Sequence, residues 1–113
     1  MNTSTKVDPS RLLYFGDPQG ANALLDLGIV PIGIVHGRRG GPGWLQLLSR
    51  CKETLRFLMP DLSDPLVCNT LLKLGPTLVV SCFYPQRIPK TLLSEVPGVN
   101  IHPVSYTHLT LPT

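Results

Sequence analysis

The sequence has few charges and no long apolar run, and each shortage counts against a class of protein. No apolar stretch approaches the roughly 20 residues that a membrane-spanning helix needs, and the polar start MNTSTKVDPS lacks the apolar core of a signal peptide. Only 15% of the 113 residues are charged while 42% are hydrophobic, which disfavours a disordered chain. We therefore expect a single cytoplasmic domain with one core and no membrane partner.

Paired cysteines are also missing, since the chain has only Cys51, Cys68 and Cys82. The odd count, without a CxxC motif or a nearby pair of histidines, argues against a disulfide framework and against a zinc site. We expect buried thiols and no bound metal. Ten Lys and Arg against seven Asp and Glu give a net charge of +3. This mild surplus does not by itself imply a nucleic-acid partner, and we expect no DNA.

Prolines and glycines are abundant, at twelve and ten, so the strands and helices must be short. Short apolar runs predict strands over residues 11–15, 29–35, 54–59, 77–82 and 98–102, with Arg56 favouring a sheet edge for the third. Helical spacing predicts helices over residues 19–27, 44–51, 65–74 and 89–93, the third capped by Ser63. This alternation indicates an α/β, Rossmann-like fold with a doubly wound, mainly parallel sheet.

In such sheets, ligands bind beyond the carboxyl ends of the strands, which here means residues 16–20, 36–43, 83–88 and 100–103. In the second segment, Arg38 and Arg39 stand among four glycines and suit either an anion or an ordinary solvated loop. Trp44, directly after it, is expected to pack beneath the loop. Gly16 and Gly20 bracket a strand-to-helix turn that either approaches the substrate or only permits tight packing.

Asn100 and His102 are the sharpest chemical signal. They are separated by one residue on the last predicted strand, so they share a face, and Pro103 ends that strand. An amide donates hydrogen bonds to a developing oxyanion, and an imidazole moves protons near neutral pH. The alternative is a structural pair, in which Asn100 makes a turn and His102 caps the strand.

These residues carry a resemblance to a known family. GVNIHP, at residues 98–103, resembles the Asn-x-His-Pro motif of the folate-dependent formyltransferases. TLVVSCFYPQRIPKTLL, at residues 77–93, is similar to that family's buried strand, Tyr-containing loop and Ile/Leu-Pro-Lys helix start. YFGDP, at residues 14–18, resembles the Phe-Gly-Thr-Pro turn of the methionyl-tRNA formyltransferase branch. The resemblance covers about residues 11–103 in the right order.

The resemblance implies formyl transfer from the co-substrate 10-formyltetrahydrofolate to an amine, through a tetrahedral intermediate. Asn100 would hydrogen-bond the oxyanion, and His102 would assist it and the proton transfers. Gly16, Asp17, Arg38 and Arg39 are the candidate substrate-binding residues. The acceptor favoured by the motifs is methionyl-tRNA; amino-sugar nucleotides and glycinamide ribonucleotide remain open. The candidate folate-binding residues are Phe83, Tyr84, Gln86, Arg87, Ile88 and Pro89, with Arg87 and Ile88 the strongest, although the segment also fits a stiff connector.

The sequence departs from the family pattern after Pro103. The family has Ser there and a catalytic Asp further on, whereas this chain has Val104 and no later Asp. We interpret residues 1–10 as a disordered lead and residues 11–103 as part of a formyltransferase catalytic domain. Residues 104–113 are interpreted as a non-native tail that resembles a translated sequencing adapter, the alternative being an ordinary Thr-rich strand. The sheet is then incomplete, and we expect the chain to be inactive and to self-associate through exposed edges.

Two other interpretations of the sequence remain open. The first is an NADP-binding oxidoreductase domain, in which a basic loop after the second strand accepts a 2′-phosphate; against it, GDPQGAN at residues 16–22 is not GxGxxG. The second is a non-enzymatic Rossmann-like module that binds a partner, for which the missing Asp is the best support.

Overall fold

The computed structural model describes residues 11–37 and 40–101, which contain five strands alternating with four helices. The strands are β1 (Leu12–Gly16), β2 (Gly33–His36), β3 (Leu55–Leu58), β4 (Leu78–Cys82) and β5 (Gly98–Ile101). The helices are α1 (Pro18–Asp26), α2 (Trp44–Arg50), α3 (Pro65–Lys73) and α4 (Lys90–Leu93). The expected lead over residues 1–10 and tail over residues 104–113 lie outside the described residues.

All five described strands join one parallel sheet, in the order β3-β2-β1-β4-β5. The chain builds outward from β1 to β3 and then returns to the other side of β1, so the strand order reverses between β1 and β4. This confirms the predicted doubly wound α/β fold, with β3 at an edge as Arg56 indicated. Ligand sites in such sheets lie at the carboxyl edge, near the reversal.

The single core expected from the chain length is wrong: the sheet separates two apolar cores, because alternate residues of a strand face opposite sides. From the central strand β1, Leu12 and Tyr14 pack in the core that includes α1 and α2. Its neighbours Leu13 and Phe15 pack in the other core, with residues of α3 and α4. Every residue of β1 is buried. Helices thus cover both faces, which explains why the strand sequences are almost continuously apolar.

Two predicted details are wrong. Ser63 does not cap α3, because its hydroxyl and its N–H both donate to the Asp61 carboxylate, at 2.5 and 3.0 Å. Asp64 is the cap, with its carboxylate accepting from the Leu66 N–H at 2.9 Å. Strand β2 begins at Gly33 rather than at residue 29. Pro31 lacks the N–H that a ladder needs, so regular pairing starts after it.

Two further observations concern the cysteines and the lengths of the helices. Cys51, Cys68 and Cys82 are free and buried, as predicted. The helices α1 and α3 have nine residues each. Within the described ranges, no helix is long and apolar enough to cross a bilayer.

Candidate functional site

An open cleft of about 570 Å³ lies at the carboxyl edge of the sheet. Its lining residues follow four different strands: Asp17 after β1, Gly37 after β2, Met59 after β3, and Phe83 and Pro85 after β4. The cleft therefore spans the edge on both sides of the strand reversal. This is where a doubly wound sheet places a ligand, and three of the four sequence segments predicted to hold ligands contribute to it.

Asp17 is fixed in this cleft by hydrogen bonds from three directions. The Tyr14 hydroxyl donates to the Asp17 backbone oxygen at 2.9 Å and to its carboxylate at 3.3 Å. The carboxylate also accepts the Gly20 N–H at 3.0 Å and so caps α1. The Asp17 N–H donates to the Cys82 carbonyl at 3.2 Å, which ties β1 to β4 beyond the ladder. These bonds hold the Asp17 carboxylate in one orientation at the lining of the cleft.

Burial and the neighbouring Asp17 control the titration of two adjacent groups. Burial, followed by the Asp17 charge, raises the pKa of the Tyr14 hydroxyl far above its usual range. The same two causes raise the pKa of the Cys82 thiol. Both groups therefore stay protonated at neutral pH, and Cys82 is not set up as a nucleophile.

The backbone leaves β3 and β4 in an unusual way. Met59 and Phe83, the first residues after these strands, have φ angles of 47° and 59°. Such left-handed conformations are uncommon in residues other than glycine and cluster at ligand sites. Phe83 is half exposed. Met59 and Phe83 both line the cleft and give it an apolar surface.

The loops after β2 and β4 meet across the edge of the sheet. A Cβ atom built on Gly37 would lie 2.4 Å from the Cδ atom of Pro85, far inside van der Waals contact. Only glycine lets the two segments approach this closely. The position of the loop over residues 83–88 thus depends on the absence of a side chain at Gly37.

A second, smaller cavity of about 280 Å³ contains Asn100. It opens on the face that packs against α3 and α4, and its lining residues are Val79, Ser81, Ile88, Leu93, Gly98, Val99 and Asn100. The Ser81 hydroxyl donates to Oδ1 of Asn100 at 2.8 Å. Asn100 and Ile88, assigned different roles from the sequence, thus share one cavity. His102 lies outside the described residues.

The other candidate folate-binding residues are distributed over different surroundings. Gln86, Arg87 and Pro89 line a separate cleft of about 390 Å³ together with Asp61, Leu62 and Ser63. Tyr84 packs in the core against Phe15, with ring centroids 5.3 Å apart. Its hydroxyl is buried and has no hydrogen-bond partner in the described part of the chain, and burial raises its pKa. Of the candidate folate-binding residues, only Ile88 lines the same cavity as Asn100.

Two of the four candidate substrate-binding residues lie in the described part of the chain. Asp17 lines the large cleft, whereas Gly16 is buried at the end of β1, against the Cys82 carbonyl. Arg38 and Arg39 lie outside the described residues. Trp44 packs edge-on against His36, with ring centroids 4.8 Å apart. Among residues 11–37 and 40–101, no three His, Cys, Asp or Glu side chains are grouped to hold a metal ion.

Several residues that line these sites were not among the candidates named from the sequence. Met59 was assigned to the third predicted strand, residues 54–59, whereas β3 ends at Leu58, so the rule for residues that follow a strand passed over it. Gly37 carried a signal only in combination with Pro85, a contact that needs coordinates. Ser81 is the one hydroxyl in the strand LVVSC, and a polar residue in an otherwise buried strand is the signal that marks it.

A five-stranded parallel sheet with helices on both faces and a cleft at its carboxyl edge defines a Rossmann-like α/β protein. Among solved structures, the chain is similar to glycinamide ribonucleotide transformylase 1 from Symbiobacterium toebii, with a TM-score of 0.57 and 17% sequence identity. The match covers 81% of this chain and 50% of that one, so the chain spans about half the length of the transformylase. No family model and no curated protein matches the sequence. The likeness shows a shared fold over the part of the chain that the match covers.

Proposed function

We propose that the chain belongs to a folate-dependent formyltransferase, which transfers a formyl group from 10-formyltetrahydrofolate to a substrate amine. The observation that carries this proposal is the shared cavity of Asn100 and Ile88. Formyl transfer needs a hydrogen-bond donor directed at the formyl oxygen, next to the surface that holds the folate. The transformylase-like fold supports the same conclusion.

The Asn100 cavity has the composition expected for one end of a folate. Apolar side chains such as Val79, Ile88 and Leu93 form its walls, and Ser81 and Asn100 supply the polar groups. Ligand sites typically combine apolar walls with a few placed polar atoms. Its volume of about 280 Å³ suits a flat ring system rather than a complete folate. The bound folate supplies the formyl group; the chain supplies the pocket and the amide.

The large cleft is proposed to receive the amine substrate. In this proposal, the Asp17 carboxylate accepts a hydrogen bond from the neutral amine, and Gly16 lies directly before it at the end of β1. Arg38 and Arg39 follow Gly37 in the sequence and suit an anionic part of the acceptor. As the amine nitrogen bonds to the formyl carbon and the bond from that carbon to the folate nitrogen breaks, His102 assists the transfer of the amine proton to the departing folate nitrogen. The YFGDP turn and the Ile-Pro-Lys sequence at residues 88–90 favour methionyl-tRNA as the acceptor.

The start of α1 disfavours the dinucleotide alternative. A pyrophosphate binds to free N–H groups at a helix N-terminus. Here Pro18 is the first helical residue and has no N–H, and the Asp17 carboxylate already accepts the Gly20 N–H at 3.0 Å. A pyrophosphate would meet a carboxylate of the same sign. An NADP cofactor at this turn is therefore the weaker proposal.

The test is calorimetric titration of the 113-residue chain with 5-formyltetrahydrofolate and, separately, with NADPH. We expect the folate to bind and Ile88→Asp to abolish its binding, because a carboxylate would enter the apolar wall. Leu45→Asp, on the exposed side of α2, is the matched control and should bind normally. Circular dichroism verifies that both variants fold. NADPH binding without folate binding would refute the proposal.

Catalysis is tested on the product of the complete gene and on the 113-residue chain. Formyl transfer is measured with methionyl-tRNA, glycinamide ribonucleotide and an amino-sugar nucleotide as acceptors. We expect turnover only by the longer protein, because the resemblance implies an Asp beyond this sequence. Asn100→Ala should lower kcat by about 100-fold or more, the usual effect of losing an oxyanion donor.

A further inference from the structure

Ser81 and Asn100 form a hydrogen-bonded pair across two neighbouring strands. Ser81 of β4 is in register with Asn100 of β5, and its hydroxyl donates to Oδ1 at 2.8 Å. Ser81 is only 8% exposed. A buried hydroxyl destabilises the fold unless it is hydrogen-bonded. The bond to Asn100 thus gives the buried Ser81 hydroxyl a hydrogen-bond partner, and it also favours one orientation of the Asn100 amide.

The bond distinguishes the two ends of the amide. The carbonyl oxygen of asparagine accepts hydrogen bonds, whereas its NH2 group donates them. Because Ser81 donates to Oδ1, the amide has its acceptor end toward β4 and its donor end on the opposite side. A flipped amide would present Oδ1 instead, and a carbonyl oxygen repels an oxyanion. One orientation of Asn100 is therefore suited to formyl transfer and the other is not.

We propose that Ser81 is a positioning residue that holds Asn100 in the donor orientation for formyl transfer. This inference rests on the proposed function and adds a residue that acts only through the Asn100 amide. The Ser81 hydroxyl itself need not touch substrate. Since Ser81 and Asn100 line the same cavity as Ile88, replacing the hydroxyl leaves the apolar folate surface intact.

The first experiment observes the amide directly in the 113-residue chain. The side-chain NH2 signals of Asn100 are assigned in a ¹⁵N–¹H spectrum by their loss in Asn100→Asp. We expect Ser81→Ala to move these signals toward the position of a solvated asparagine, and Ser81→Thr, which keeps a hydroxyl, to leave them near the wild-type position. Ser49→Ala is the matched control, because it removes a serine hydroxyl bonded to the Gln46 carbonyl on α2.

The second experiment measures kcat and KM in the product of the complete gene. We expect Ser81→Ala to lower kcat about tenfold, the effect of a hydrogen bond worth about 1.4 kcal/mol, with KM for the folate changed less than twofold. Ser81→Thr should restore most of kcat, and Ser49→Ala should match the wild type. A merely structural role would instead change KM and stability together and would not be rescued by threonine.

The outcomes separate the inference from the proposed function. If the NH2 signals do not move in Ser81→Ala, or if they move while kcat stays at the wild-type value, Ser81 does not position Asn100 for catalysis. In both cases formyl transfer by the wild-type protein still supports the proposed function. If the wild-type protein binds NADPH and transfers no formyl group, the proposed function is wrong and the positioning role falls with it.

Discussion

The imidazole of His36 lies edge-on to the indole of Trp44, with ring centroids 4.8 Å apart. His36 is 2% exposed, and neither of its ring nitrogens has a hydrogen-bond partner among the described residues. Burial, followed by the positive charge of Arg56, lowers the pKa of the imidazole below its ordinary value. The folded protein therefore holds His36 neutral at the end of β2, and protonation of this ring opposes folding.

This arrangement predicts a loss of stability in mild acid. Because the folded-state pKa of His36 is below the unfolded value of about 6.5, the unfolded chain binds more protons as the pH falls below 6.5. Stability is complete above that pH and declines below it, toward the folded-state pKa. His36→Phe keeps the ring contact with Trp44 and removes the titration. We expect its urea midpoint to change less than that of the wild type between pH 7.5 and 5.

Tyr84→Phe is the control for this measurement. It removes the buried Tyr84 hydroxyl, which has no partner in the described ranges, and it changes no group that titrates between pH 5 and 7.5. Its free energy of unfolding should equal that of the wild type or exceed it by up to about 1 kcal/mol, with the wild-type dependence on pH. A His36→Phe variant as acid-sensitive as Tyr84→Phe would show that His36 does not control the acid response.

Gly20 and Tyr14 should be strongly coupled. A Cβ atom on Gly20 would lie 2.1 Å from the Tyr14 hydroxyl oxygen and 3.0 Å from the ring carbon that bears it. Gly20→Ala should therefore destabilise the protein by about 2 kcal/mol, as overpacking of a core does, despite the better helix propensity of alanine. In a Tyr14→Phe background the clashing atom is gone, and we expect the cost to fall below about 1 kcal/mol.

A double-mutant cycle of denaturant unfolding measures this coupling. Tyr14→Phe alone loses the hydrogen bonds to Asp17 and should cost about 1 kcal/mol. Additive effects of the two substitutions would contradict the close contact between them.

The fold was largely readable from the sequence because its strands are short, apolar and separated by turn residues. The run TLVVSC and the turn after YFG located β4 and β1 well, and Arg56 marked the edge strand β3. The errors arose where tertiary contacts decide between equivalent local choices. Ser63 and Asp64 are both good helix caps, and the Asp61 carboxylate decides between them by binding Ser63. Strand β2 pairs with β1 only from Gly33 onward, because Pro31 has no N–H to donate to the ladder.

The candidate site was less accessible to sequence reasoning. The rule for parallel sheets placed Asp17 and Phe83 at the carboxyl edge, where they line the cleft. Local sequence gives no information on which side of a loop faces which cavity. Ile88 faces Asn100, whereas the neighbouring Arg87 and Pro89 line a different cleft. The burial of His36 was also unpredicted, since His36 is the first residue of HGRRGG, a segment typical of a solvated loop.

Asn22 should contribute more to stability than the nearby ion pair. Its side chain is buried, donates to the Gly43 carbonyl at 3.0 Å and accepts from Arg50 at 3.3 Å, which links α1 to α2. Asp26 and Arg50 form a salt bridge at 2.9 Å, but Asp26 is 69% exposed. We expect Asn22→Ala to cost about 2 kcal/mol and Asp26→Ala less than about 1 kcal/mol, measured by urea unfolding. Equal costs would show that the ion pair stabilises the contact between the helices as much as the buried amide does, which contradicts the prediction.

Gly37 lines the cleft proposed for the amine and lies against Pro85, in the segment proposed to hold the folate. It gives the last prediction. A Cβ atom at this position would lie 2.4 Å from Cδ and 3.1 Å from Cγ of Pro85, so a side chain does not fit there. Gly37→Ala must therefore displace the loop that leads from Phe83 to Ile88, and we expect the Kd for 5-formyltetrahydrofolate to rise at least fivefold.

Gly40→Ala is the matched control, since a Cβ atom there meets nothing within 4 Å. Its left-handed φ makes alanine cost about 1 kcal/mol of stability, but its folate affinity should match the wild type. Calorimetric titration at a temperature where both variants are folded makes the comparison. Equal affinities for Gly37→Ala and Gly40→Ala would mean that the contact with Pro85 does not position the folate surface.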